Sequence, residues 1–465
     1  MKRLLKIILL KLRDADRDHV YSPLLGMKRP SIPKFVFNQK CPTKKELKKS
    51  VRKKRNGATP GFNGLSYVPY KKCHAIIDFL HLIVQKIWKT KMIPENWALA
   101  FAVLLAKSED LSKVSEFRPI AITCTVGKIF FSVVSDRLQN YMVRNDYIPL
   151  RIQKGFLAGM PGCLEHSFML SEAIKNAKEH KRQIVVTWID LANAYGSVRH
   201  NLIQFALHWY HIPELIRELI MNYYEKLMAK ITTKKWSTGF FLFDIGLFQG
   251  CVLSTILFDC VFQLLLDFLK PLENELGYQF KELPLCSLQK AYADDLTLST
   301  SSPAANQKAC DRTIIFLQWT VTMKAKPSKC VSFGLRRFDT RSKNQRLTYV
   351  PYSETKYSAF DPLIEIDGSK INFIVDLTKK TEFLQQHFKF LGRWFHVLLR
   401  EDGIAERVRG LFLKDMELIG SCKINGLMKI WLYQFYVLAH LSWPFLVQDF
   451  SLSFAKDLER VSTQS

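Results

Sequence analysis

The chain has 465 residues, enough to bury more than one core, since single cores stop growing near roughly 250–300 residues, and a hydrophobic share of 48% with no long polar block excludes an extended disordered protein. Lys and Arg number 68 against 42 Asp and Glu, a net charge of +26 with a pI near 9.6, which suits a polyanionic partner. The ten cysteines form no CxxC pair and no Cys/His cluster at zinc spacing, which excludes a zinc module and fits a reducing compartment inside the cell.

The first 60 residues carry 18 Lys and Arg against 4 Asp and Glu, about half of the net charge. MKRLLKIILLKLRDADRD reads as a basic amphipathic helix and not as a signal peptide. The run from Lys44 to Arg55 fits phosphate-backbone contact or a nuclear-import signal, so the nucleus is the expected location. No apolar run reaches the ~20 residues of a membrane span, and no membrane partner is expected. NGATPGFNG at 56–64 reads as a loop. Ile76, Ile77, Leu80, Ile83, Val84 and Ile87 recur at helical spacing, and a strand follows over Ala98–Ala106. A long helix is expected over Val126–Met142, a β-rich run over Gln183–Leu191, and helices over His200–Tyr210 and Pro213–Met228. A hairpin fits Lys230–Gly246, and Cys251–Leu269 is a strongly apolar helix.

Residues 288–300 read as strand, tight turn and strand, with the turn at Ala293–Asp295. Further on come a helix over Ala309–Thr322 and a strand near Val331–Gly334. A polar insertion over 336–380 carries a hairpin turning at Asp367-Gly368. A short strand pair, FKFLGRWF, and helices complete the chain. In the last of these, Leu427, Trp431, Phe435 and Leu438 line one helix face, read as core packing, with Lys423 and Lys429 beside it facing a duplex. Strands with intervening helices make an α+β protein.

The chemistry concentrates in AYADDLTLST, 291–300. Two adjacent carboxylates in an apolar hairpin are costly unless cations neutralise them, and a hairpin tip can point both into a cleft. Taken alone, an Asp-Asp pair also fits a solvent-exposed turn. Asp190, at the end of QIVVTWIDL, offers a third carboxylate at a sheet edge, or equally the N-cap of the next helix. Together Asp190, Asp294 and Asp295 could hold two Mg²⁺ ions, with Mn²⁺ as a substitute.

The order and spacing of several motifs resemble the reverse transcriptases of non-LTR retrotransposons, the R2-like and LINE-type lineages, over about residues 50–460. The motifs are TPGFNG (59–64), VLLAKSEDLSKVSEFRPIAI (103–122), VGKIFFSVVSDRL (126–138), QKGFLAGMPGCLEH (153–166), WIDLANAYGSVRH (188–200), LFQGCVLSTILFD (247–259), AYADDL, KPSKC (326–330) and FKFLGRWF (388–395). The resemblance implies a right-hand polymerase fold of fingers, palm with antiparallel sheet and helical thumb. The corresponding division is a basic extension 1–55, fingers with first palm elements 56–186, palm 187–395 with an insertion about 336–380, and thumb 396–465. It implies an RNA-directed DNA polymerase that extends a DNA primer on an RNA template with dNTPs. Asp190, Asp294, Asp295 and the Leu191 carbonyl would hold the metal ions. Lys107 and Arg118 would bind the triphosphate, Tyr195 would exclude a ribose 2′-hydroxyl, and Gln249-Gly250, at the start of the apolar helix, would contact template or nucleotide. Lys329 would protonate the leaving pyrophosphate, and QKGFLAGMPGCLEH would contact the template.

The sequence departs from the family at Asn193, Tyr195 and Gly196, and at Cys251, Ser254-Thr255 and Lys326, without removing a metal ligand. A non-catalytic nucleic-acid-binding remnant is the alternative, with an intron maturase behind it. No endonuclease motif is visible, so a fragment, a decayed copy or a stand-alone polymerase is expected.

Overall fold

The computed structural model describes residues 27–61, 63–107, 112, 116–233, 235–337, 357–374, 387–396, 399 and 402–464. The expected N-terminal amphipathic helix and most of the 336–380 insertion lie outside the described residues. α1 (Lys44–Arg52) begins in a capping box, with Thr43 and Glu46 satisfying each other's backbone N–H groups. α2 (His74–Thr90) buries Ile77, Leu80, Val84 and Ile87, as their spacing predicts. β1 (Leu99–Ala106) and β2 (Phe117–Thr123) pair antiparallel and lead into α3 (Thr125–Arg144). α4 (Gly162–Glu179) is announced by no apolar stripe, since Gly162, His166, Ser167 and Ser171 share its buried positions with Leu170, Ala173, Ile174 and Ala177.

β3 (Ile184–Ile189) is followed by the two-residue β4 (Leu191–Ala192), and then by α5 (His200–Trp209) and α6 (Glu214–Glu225). α6 stops short of the predicted Met228 because β5 (Met228–Ile231) takes that residue, whose N–H donates to the Ala98 carbonyl at 3.0 Å. After β6 (Phe241–Leu242) comes α7 (Ser254–Leu269), which starts at Ser254 and not at Cys251. β7 (Gln289–Tyr292) and β8 (Asp295–Thr300) form the predicted hairpin. α8 (Pro303–Trp319) starts ahead of the predicted Ala309, on a Ser302 side chain that accepts from the Ala305 N–H and a proline in its first turn.

β9 (Lys324–Ala325), β10 (Val331–Arg337) and β11 (Tyr357–Phe360) precede a small hairpin turning at Asp367-Gly368. β12 (Asn372–Phe373), β13 (His387–Phe390) and β14 (Arg393–His396) follow, then α9 (Asp402–Ser421), α10 (Gly426–Val447) and α11 (Leu452–Gln464).

One sheet has the order β2-β1-β5-β6 and the other β11-β10-β3-β8-β7, with β12 beside β10. β3 is central in the second sheet and buried at every residue, because helices and strands cover both its faces. Ile184, Val186 and Trp188 pack with α4 and the β13–β14 hairpin, while Ile189 joins the large core under α7 and α8. Mixed sheets with helices packed on them make this an α+β fold, as the sequence leads one to expect.

The face of Leu427, Trp431, Phe435 and Leu438 was expected in the core and lies outside it, at 79, 53, 64 and 41% exposure. α10 is apolar nearly all round, so its periodicity does not say which side is buried; Val437 is the side turned inward. The same helix corrects the expectation about apolar runs. Among the described residues it alone is long and apolar enough, by length and composition, to cross a membrane, with 11% of its most apolar window buried.

Asn306, fully buried in α8, ties this helix to the sheet. It accepts from Thr187 Oγ1 at 2.6 Å and donates to Thr300 Oγ1 at 3.2 Å and the Val185 carbonyl at 3.4 Å. Replacing it by alanine removes the partner of the buried Thr187 hydroxyl on β3 and weakens the tie to Thr300 on β8. N306A is expected to lose about 1–3 kcal/mol of stability, read as a lower denaturant midpoint with an unchanged slope.

Candidate active site

The site begins with strand register. Ile189 of β3 lies opposite Leu296 of β8, so Asp190, the next residue, falls opposite Asp295 at the same end of the sheet. Asp294 sits in the two-residue turn between β7 and β8, after Ala293 with its positive φ of 57°. The helix after Asp190 starts only at His200, so the residue is not an N-cap. Its carbonyl accepts from the Lys326 N–H at 2.8 Å and its N–H donates to Cys330 Sγ at 3.4 Å. By the antiparallel alternation of β4 and β9, the Leu191 carbonyl points away from β9.

The electrostatics are those of unneutralised acids. Asp294 is held above the usual carboxylate range by burial and by Asp190, against the pull of its own backbone N–H and of Arg118. Asp295 is pushed up to about 6 by burial, then by Asp294 and Asp190. Among the described residues no three His, Cys, Asp or Glu side chains are grouped closely enough to hold a metal ion by themselves. Three hard oxygen donors that repel one another suit divalent cations of the Mg²⁺ type, which complete their shells with water and substrate phosphates.

A cavity of about 300 Å³ opens here, lined by Asp190, Asp295, Lys329, Trp188 and the β13 residues Phe388 and Lys389. Lys329 ends a short 3₁₀ turn, Pro327–Lys329. Tyr195 is buried, stacked on Phe258 with 4.9 Å between ring centroids, and its hydroxyl has no hydrogen-bond partner. Burial, then Asp259 and Asp294, raise its pKa, which places it beside the turn.

Arg118 lies on β2 opposite Leu105, and the Lys107 N–H donates to the Glu116 carbonyl one step beyond β1, so Lys107 and Arg118 share a face as diagonal neighbours. Gln249 and Gly250 precede α7 and do not begin it. The Gln249 carbonyl accepts from the Ala121 N–H at 2.7 Å, and Gly250 has φ +111° where a Cβ would stand 2.5 Å from the Ala121 carbonyl oxygen. That pair therefore straps the front of α7 to the strand bearing Arg118.

Sequence reasoning missed three residues around this site. Cys330 supports Asp190 from a fully buried position and was visible only as the last letter of KPSKC. Asp259, fully buried on α7 with neither oxygen bonded, carries no periodic signal. Gln153, fully buried, reaches both backbone groups of Ala293 and was visible only inside a longer segment.

The family model described as reverse transcriptase (RNA-dependent DNA polymerase) matches residues 106–395. The chain is 26% identical over 244 residues to the Pol polyprotein of the type-2 retrotransposable element R2DM of Drosophila melanogaster, covering 52% of this chain and 22% of that one. It is 23% identical over 308 residues to the Pol polyprotein of the type-1 element R2 of Nasonia vitripennis, covering 66% and 28%. The chain thus spans about a quarter of the length of these relatives. Among solved structures, a truncated apo telomerase from Candida tropicalis aligns with a TM-score of 0.38 at 14% identity, over 57% of each chain.

Mutual repulsion of the three acids makes a simple expectation. In chelator at neutral pH, D295N melts above the unaltered chain by about 1–3 °C. Added Mg²⁺ raises the melting temperature of the unaltered chain and leaves that of D295N nearly unmoved, both read by thermal denaturation.

Proposed function

Because the chain belongs to the reverse transcriptase family, we propose that it is an RNA-directed DNA polymerase of an R2-like retrotransposable element, extending a DNA primer on an RNA template with dNTPs. The observation that carries this reading is the meeting of Asp190, Asp294 and Asp295 at one end of a buried antiparallel sheet, beside a cavity that Lys329 and the β13 strand also line. On this reading Asp190, Asp294, Asp295 and the Leu191 carbonyl hold two Mg²⁺ ions. Bound there, such ions supply a more acidic primer 3′-hydroxyl and neutralise the leaving pyrophosphate.

The chain's own groups do the rest. Arg118 offers a bidentate fork and Lys107 a point charge to the triphosphate oxygens. Tyr195, fixed by its stack on Phe258, presents a ring edge that rejects a ribose 2′-hydroxyl. Gln249 and Gly250 bring a backbone and an amide close to the base pair being formed. Lys329 supplies a proton to pyrophosphate. β13 and β14 hold the primer strand, and α9 to α11 grip the hybrid by backbone and shape. The net charge of +26 makes hybrid binding electrostatic and steeply salt-dependent.

The replacements at Asn193 and Gly196 leave all three carboxylates in place, and a Cβ on Gly196 would stand 2.2 Å from the Asn193 side-chain amide. On poly(rA)/oligo(dT) with Mg²⁺, the unaltered chain incorporates dTTP. D294A loses incorporation by at least about 10³-fold and keeps hybrid affinity within about two-fold. Hybrid binding with no extension by the unaltered chain, in Mg²⁺ or Mn²⁺, overturns the proposal in favour of a non-catalytic remnant.

A further inference from the structure

The β7–β8 turn is gripped from outside its own sheet. The side chain of Gln153 is fully buried, and its Oε1 accepts from the Ala293 N–H at 2.9 Å and the Gly155 N–H at 2.8 Å. Its Nε2 donates to the Ala293 carbonyl at 3.1 Å. A side-chain amide is the group that can meet an N–H and a C=O of one residue at once, and here it occupies both polar groups of the residue before Asp294. Ala293 has φ +57°, a conformation that a residue with a Cβ adopts at a cost and that its surroundings must maintain.

The backbone around Gln153 reinforces the grip. The Ala291 N–H donates to the Ile152 carbonyl at 2.8 Å, and the Lys154 N–H donates to the Ala291 carbonyl at 3.1 Å. Gly155 is pressed so close that a Cβ there would lie 2.0 Å from the Ala293 nitrogen. At its far end the strap meets the other side of the site, where Phe156 stands edge-on to Tyr195 with 6.0 Å between ring centroids.

We propose that Gln153 is a positioning residue: through Ala293 it fixes the turn that carries Asp294 and Asp295, and so sets the affinity of that site for divalent cations. The proposal rests on the polymerase reading for its metal site. The hairpin supplies two residues of turn and no internal partner for the outward N–H and C=O of Ala293. Without the amide those groups are buried unmet, and the turn relaxes toward a conformation that no longer faces the two carboxylates toward Asp190. A support of this kind around a metal site changes affinity by about 10–100-fold.

The test uses the full chain and two readouts. Mn²⁺ binding is titrated by its paramagnetic signal in the absence of nucleotide, and primer extension is measured against Mg²⁺ concentration. Q153M keeps the shape of the side chain and removes all three hydrogen bonds. It is expected to weaken Mn²⁺ binding about ten-fold and to raise the half-maximal Mg²⁺ concentration to match, with hybrid affinity within two-fold of the unaltered chain. Q153N, one methylene too short to reach both groups of Ala293, is read the same way if Q153M folds poorly.

Unchanged Mn²⁺ affinity in a folded variant overturns the proposal, as does a loss of activity that extra Mg²⁺ does not recover. The two readings fail separately. If the unaltered chain extends no primer but binds Mn²⁺ in a way that D294A and Q153M both weaken, the positioning role stands and the polymerase reading falls. If the unaltered chain extends primers, D294A does not, and Q153M titrates like the unaltered chain, the reverse holds.

Discussion

Like charges on adjacent strands repel, and the register of β3 against β8 sets Asp190 opposite Asp295 with Asp294 one residue before it. Nothing local favours that arrangement. Burial raises the energy of each ionised carboxylate, and each raises that of the others. The strands must therefore be held by forces from elsewhere. β3 supplies them, as a central strand bonded on both edges and covered on both faces. Apolar burial on this scale, at about 25 cal/mol per Å², outweighs the repulsion at one end of the sheet. The carboxylates are thus a local strain carried by a large apolar frame.

The two faces of β3 divide the labour. Trp188 points to the side where Phe388 stacks at 4.0 Å between ring centroids, and strand parity sends Asp190 to that same side. Thr187 points to the other, where Asn306 holds α8 down. One strand therefore connects the β13–β14 hairpin, the acids and the helices beneath. Short pieces complete the positioning. The pairing of β4 with β9 turns the Leu191 carbonyl to the far edge of β4, and the Lys326 N–H anchors the Asp190 backbone. KPSKC, a modest signal as sequence, becomes a small scaffold in space, with Cys330 under Asp190 and Lys329 in the cavity.

Local pattern made the β7–β8 hairpin, α2, α5 and the β13–β14 pair legible, because each is decided within a few residues by spacing, turn chemistry or a flanking glycine. The convergence of Asp190 with Asp294 and Asp295 was legible only through the ordered set of motifs, since no periodicity relates residues a hundred positions apart. What remained hidden was decided by tertiary contact. α4 buries serines and a histidine along with its aliphatic residues, so its pattern is diluted. α7 begins late because Gln249 and Gly250 are engaged by β2. The outward face of α10 could not be read, because a helix apolar on most sides gives no phase, and the choice of Val437 over Leu427 is made by α9 and α11. Gln153 lies in the segment whose resemblance implies template contact, yet its amide turns inward to Ala293.

Asp259 shows how a fourth acid can stand near this cluster without adding to its strain. It is fully buried on α7, neither oxygen is hydrogen-bonded, and no cation among the described residues is paired with it. Burial, and then the field of Asp294, push its pKa well up. In such a place burial disfavours the ionised form of an isolated carboxylate relative to the neutral acid. Asp259 also raises the pKa of the Tyr195 phenol, whose hydroxyl is itself unpartnered and buried. Two buried and unpartnered polar side chains, Asp259 and Tyr195, thus stand within the field of Asp294. Burial within α7 disfavours a charge at Asp259, so the charge that a cation would neutralise gathers at Asp190, Asp294 and Asp295.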